Sequence, residues 1–184
     1  LVTFPSVLAQ INHGGEPSFL INNESINSTK IILPTIDREA LAAEDAVTDK
    51  IKDMPWRFGV ENEVNISPDT HGYWTVDGNE NIWRVAIAGE NATCMSVRFS
   101  EFNLAKGAYL FVWSPITKQF IGRFDHRNVK EWEGLATGVI SGPEIIVELH
   151  QPVSRGTSAP IKIDQVVYGY RSLLNYAEDV SAMY

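Results

Sequence analysis

Four histidines, His13, His71, His126 and His150, are the side chains on which acid–base or nucleophilic chemistry in this chain would turn. A serine nucleophile needs a histidine within hydrogen-bond reach and a carboxylate that orients the ring. No Gly-Asp-Ser-Gly or Gly-x-Ser-x-Gly segment occurs, so the turn that exposes such a serine and builds its oxyanion hole has no local signature. His71 and His126 are the histidines on which a self-sufficient hydrolase would rest. The expectation is that the chain is not an enzyme, with no catalytic residue assigned. Its single cysteine, Cys94, excludes an internal disulfide and a cysteine-based metal cluster.

Oxygen ligands are sparser than they look. Asp77, Asn79 and Asn81 alternate along the chain as at the start of a calcium loop. The sixth position, which needs glycine, is Ile82, and no glutamate closes the loop at the twelfth. A hairpin turn through Asp77-Gly78-Asn79 is the simpler expectation. Asp125-His126, with Asp69 and His71, assembles a metal set only on paper, because adjacent strand residues point to opposite faces. No cofactor is expected.

Five tryptophans are generous for 184 residues. Trp83 shares strand parity with Val85 and Ile87, and Trp113 with Tyr109 and Phe111, so both are assigned to the core. Trp74 and Trp132 fall between the expected strands and are the candidates for partner binding, by stacking on a sugar ring or by anchoring a protein interface. Asn23, Asn27, Asn65 and Asn91 each open an N-glycosylation triplet, which has meaning only in a cell that glycosylates.

The elements that must position these residues follow from composition and periodicity. At 44% hydrophobic the chain can bury one domain core. A net charge of −8 without any Lys/Arg-rich run speaks against nucleic acid and anionic membrane as partners. Apolar runs fall far short of the roughly 20 residues that span a bilayer. Residues 1–9, ending Val7-Leu8-Ala9, have the look of a signal-peptide remnant. Residues 10–33 are rich in Asn, Gly and Pro and read as an extended arm. Residues 34–54 read as one helix, capped by Thr35, with Ile36, Ala40, Leu41, Val47, Ile51 and Met54 at helical spacing and Pro55 as the stop. From 55 to 171 short alternating segments punctuated by turns predict strands at 58–66, 82–88, 93–99, 109–113, 120–124, 135–140, 144–149 and 161–170. The expected fold is all-β, an antiparallel, jelly-roll-like β-sandwich, followed by a linker at 172–184.

Several phrases, in order, give the chain a resemblance. They are Gly14-Gly15-Glu16-Pro17-Ser18-Phe19, Leu33-Pro34, Asp37 with Leu41 and Glu44-Asp45, and Pro55-Trp56-Arg57-Phe58-Gly59. Gly72-Tyr73-Trp74, Ile82-Trp83-Arg84, Phe102-Asn103-Leu104 and Gly107-Ala108-Tyr109-Leu110 continue the series. Ala136-Thr137-Gly138, Gly142-Pro143, Glu148 and the stretch Val166 to Arg171 close it. Together they resemble the N-terminal pro-region of exported lysyl-endopeptidase-like, trypsin-fold proteases of Bacteroidota-type bacteria, and of related multidomain secreted proteins. The resemblance implies secretion, a non-catalytic domain ahead of a protease, and that protease as the partner. Processing would then follow Arg171, the basic residue at the end of the β region. Similar modules precede non-protease parts, so a carbohydrate or cell-surface binding role through Trp74 or Trp132 is the alternative.

Overall fold

The computed structural model describes residues 12–21 and 28–172. The expected leader at 1–9 and the tail from 173 onward lie outside the described residues. Strands dominate the rest and form two open sheets. The first contains β1 (Thr29–Ile32), β3 (Tyr73–Asp77), β4 (Glu80–Ala88), β6 (Tyr109–Trp113), β7 (Phe120–Asp125) and β10 (Glu144–Pro152). Its order is β1-β4-β10-β6-β7, with β3 also paired to β4. The second contains β2 (Gly59–Ile66), β5 (Cys94–Phe102), β8 (Leu135–Ala136), β9 (Ile140–Ser141) and β11 (Ile161–Gly169). Here the order is β2-β11-β5-β8, with β9 also on β5. Every pair is antiparallel except β1 with β4, which is parallel and departs from the purely antiparallel expectation.

Period-two alternation explains which side chains meet. Trp83, Val85 and Ile87 of β4 and Ile145, Val147 and Leu149 of β10 join Met95, Val97 and Phe99 of β5 and Ile161, Ile163 and Val166 of β11 in one core cluster. The two sheets therefore share a single hydrophobic interior. The opposite face of the first sheet is buried too: Arg84, Ala86, Ile146, Glu148 and His150 are all at most 8% exposed. Residues 12–21 cause this, because they lie across that face.

The turn at Asp77–Glu80 is a two-residue hairpin loop, with Gly78 at φ 54° in the position that a type II′ turn reserves for glycine. A second glycine is fixed by packing. Gly72 sits at φ 84°, and a Cβ there would strike the indole of Trp83, whose Nε1 donates to the His71 carbonyl at 2.7 Å. Gly72→Ala is expected to cost about 1–3 kcal/mol, measured as a lower urea midpoint.

Several boundaries differ from the sequence expectation. The helix, α2 (Arg38–Thr48), starts later and ends earlier than 34–54; a short α1 (Ser18–Ile21) precedes it. Asp37, not Thr35, is the N-cap, accepting the Ala40 amide at 3.0 Å. Beyond Thr48 the chain winds on through i→i+3 bonds from Lys50, Ile51 and Met54. Only Ile36 and Leu41 of the expected apolar stripe pack on the core, whereas Val47, Ile51 and Met54 are at least half exposed. The segment expected as one strand at 135–140 is split into β8 and β9, with Thr137 between them bonded through its amide and hydroxyl to Val97.

Candidate functional site

The densest polar cluster sits where the arm crosses β4, β10 and β6. Glu148 projects from the centre of β10 and is fully buried. Its Oε1 accepts the Ser18 amide at 2.8 Å and faces His150 Nε2 at 2.8 Å. Oε2 accepts the Ser18 hydroxyl at 2.6 Å and Arg84 Nε at 2.8 Å. Arg84 also donates to Ser18 Oγ at 2.8 Å and to Thr75 Oγ1 at 3.2 Å. His150 turns its Nδ1 to Glu80 Oε2 at 3.0 Å and stacks on Tyr109, ring centroids 4.6 Å apart. Tyr109 donates its hydroxyl to Glu80 at 2.8 Å, and the Arg123 guanidinium lies 4.0 Å above its ring.

The electrostatics follow from this geometry. Burial alone would push the Glu148 carboxyl up; the hydrogen bond and charge of His150, then the two bonds from Ser18, outweigh it and hold the carboxyl at about 2. Burial, reinforced by the adjacent Glu80, raises the Tyr109 phenol. The order of groups is serine, carboxylate, imidazole, carboxylate, phenol. A nucleophilic triad requires imidazole against the serine oxygen. Here a carboxylate accepts the serine hydroxyl's hydrogen bond and separates Ser18 from His150, so the arrangement does what a clamp does: it fixes the arm on the sheet.

Next to this polar half lies an aromatic half. Ala86, Phe111, Trp113 and Ile146 form a second buried cluster, against which Phe19, Tyr109 and Phe120 pack. Phe19 lies 4.5 Å from Trp113, ring to ring, with the Lys118 ammonium 5.5 Å from the Phe19 ring centre. Trp113 Nε1 is buried without a hydrogen-bond partner among the described residues.

A second clasp holds α2. Asp45, 5% exposed, accepts from Arg57 at 2.8 Å and from the Tyr170 hydroxyl at 2.7 Å. The bond to Asp45, then that to Glu44, raises Arg57 above its ordinary range. Burial and then Asp45 push the Tyr170 phenol up to about 12. Arg171, the processing candidate, belongs to this clasp: it pairs with Asp49 at 2.9 Å and lies 4.2 Å from the Trp56 ring centre. A protease that reads this arginine must first draw it off Asp49. Asp49→Ala is expected to speed trypsin cleavage after Arg171 by about fivefold, the worth of a modest ion pair, measured by the rate at which the cut fragment accumulates.

The other candidates separate. Trp74 is in β3, half-buried against the core, with Nε1 donating to the Pro68 carbonyl at 3.3 Å. Asp77 and Asn79 belong to the hairpin turn, and Asn81 is buried with its amide donating to the Gly156 carbonyl at 2.6 Å. Among the described residues no group of three or more His, Cys, Asp or Glu is placed to hold a metal ion. His71 contacts Thr70, and His126 lies 3.6 Å from Asp125. Trp132 stands out, 72% exposed on a turn closed by the Glu133 amide on the Lys130 carbonyl at 2.9 Å. Glu133, at φ 53°, anchors the turn through its carbonyl to the Phe102 amide and its side chain to Asn103.

Sequence reasoning did not assign Ser18, Arg84, Glu148 and His150 to one site. The signal was Glu148 and His150 at equal parity inside the apolar run of β10. What could not be seen is that Ser18, 130 positions away, completes the cluster. Seven of the phrases behind the resemblance meet in the two clasps: the four holding Ser18, Arg84, Tyr109 and Glu148 in the first, and the three holding Asp45, Arg57, and Tyr170 with Arg171 in the second. No family model, curated protein or solved structure matches this chain.

Proposed function

We propose that this chain is the non-catalytic N-terminal pro-domain of a secreted serine endopeptidase, a jelly-roll-like β-sandwich that binds its protease to assist folding or hold it latent. The observation that carries the proposal is Trp132, exposed on a turn whose backbone is anchored to β5. A rigid aromatic loses little entropy on binding and serves as an interface hot spot. His150, the histidine of the first clasp, is engaged by Glu148 and Glu80. The phrases that carry the resemblance supply the protease as partner and Arg171 as the place of processing.

Mixing the purified chain with the mature protease of the same precursor tests this. Cleavage of a reporter peptide should slow, a complex should form at micromolar concentration, and Trp132→Ala should weaken it by about tenfold or more, the measure of a hot-spot residue. No slowing and no complex would overturn the proposal. The exposed indole also favours a second reading, a module that stacks Trp132 on surface glycan. Glycan-array binding lost in Trp132→Ala, without protease binding, would select it.

A further inference from the structure

Side chains from β4, β10 and β6 converge on two neighbouring residues of the arm, Ser18 and Phe19. Glu148 takes both an amide and a hydroxyl from one residue, Ser18, and Arg84 meets that hydroxyl from the other side. The aromatic cluster beside them receives the next residue, Phe19. Side chains of this kind, buried and converging on one residue's backbone and side chain, recognise a sequence as well as fill space.

The present occupant of this groove over β4, β10 and β6 is the chain's own arm, clamped at Ser18 and joined to the body at few points before it. Between His13 and Ser18 the described backbone bonds to the body are the His13 amide to the Arg123 carbonyl at 3.2 Å and the Ser18 amide to Glu148. Gly14, Gly15 and Glu16 are exposed, and Leu20 is 49% exposed. Among the described residues Trp113 Nε1 is buried without a hydrogen-bond partner. A segment attached at few points over exposed backbone opens locally at low cost. A ligand that brought an acceptor to the indole would hold the groove better than the arm does.

We propose that this groove is a peptide-binding site, filled in cis by residues 12–21, whose partner is a polypeptide segment with a hydroxyl residue directly followed by an aromatic one. The hydroxyl residue occupies the Glu148–Arg84 end, the aromatic ring lies on Trp113, and a carbonyl of the incoming segment accepts the indole N–H. The inference goes beyond the protease reading. It uses another face and other residues than Trp132, so Trp132→Ala leaves it untouched and either can fail alone.

A labelled synthetic peptide with the sequence of residues 12–21 tests it on the full chain by fluorescence anisotropy. A tethered arm competes at an effective concentration on the order of millimolar, so wild-type protein should bind the peptide only in that range. The arm variant S18A/F19A should bind it at least about tenfold more tightly, and adding E148Q should remove the gain. An S18A/F19A chain that keeps its circular-dichroism spectrum but binds no better than wild type would overturn the proposal. Hydrogen exchange on the unaltered chain decides the matter independently of any variant. The Ser18 amide should exchange by local opening, well ahead of the Val147 and Leu149 amides beneath it. Exchange of all three at one rate would show that the arm leaves only on global unfolding, and would overturn it. Dimers that form by arm exchange, with no binding of free peptide, would also overturn it in favour of a second copy as occupant.

Discussion

Glu148→Ala should destabilise the chain by about 3–5 kcal/mol, the cost of breaking a buried ion pair from one side. The urea midpoint should fall while the slope of the transition holds. The reason lies in what the substitution leaves behind. Arg84, 8% exposed, loses its ion-pair partner, while Ser18 loses the acceptor of both its amide and its hydroxyl, and His150 loses the oxygen at Nε2. Each stranded polar group carries a desolvation cost that no new contact offsets. A control separates this cost from any intrinsic worth of the pair. Glu148→Leu combined with Arg84→Met removes both charges and keeps apolar volume, so it should lie closer to wild type than Glu148→Ala alone. If the single and double variants were equally unstable, the stranded Arg84 charge would not be the source of the penalty and the electrostatic account would fail.

The same residues show how far the sequence could be read. Tyr109–Trp113 matches its expected strand residue for residue, because a short unbroken apolar run between turn signals suits a strand buried on both faces: Leu110 and Val112 face the shared core, Phe111 and Trp113 the second cluster. The Asp77-Gly78-Asn79 hairpin was legible from glycine alone. β3 was not: Tyr73–Asp77 is largely exposed, with Tyr73, Val76 and Asp77 facing solvent, and it pairs with only the first half of β4. A short edge strand of that composition looks like a loop, which is why Trp74 was taken for a loop residue. The arm was misjudged for a related reason. Its composition predicts irregular backbone, and residues 12–17 are irregular before the single turn of α1; what holds residues 12–21 is contact with side chains from β4, β10 and β6 and a backbone bond to β7, which no local window contains. That contact also explains why β4 and β10 are buried on both faces while their chemistry still alternates. Arg84, Glu148 and His150 lie on the outer face, as parity requires, and only the covering arm makes that face an interior.

The acid limb of stability follows from the depressed carboxyls. Glu148 is held at about 2 against an ordinary 4.5, and Asp125, bonded chiefly by Arg127, at about 2 against 3.8. A carboxyl whose folded value lies below its unfolded one stabilises the protein fully above the unfolded value, and that stabilisation drains away as pH falls toward the folded value. The window is therefore about pH 5 down to 2, with no loss from these groups between neutral pH and 5. For Glu148 the shift corresponds to about 3 kcal/mol. The two carboxyls should also part company in salt. Arg127 is 52% exposed, so its pair with Asp125 is screened, whereas Glu148 has no solvent around it. Urea midpoints taken at pH 7, 5, 4 and 3, at low and high salt, test both points. Wild type should fall steeply below pH 5 and Glu148→Ala much less, because the variant has already lost the group being titrated. Parallel curves for the two proteins across that window would mean that acid acts elsewhere, and that the carboxylate under the arm is not what holds it in place.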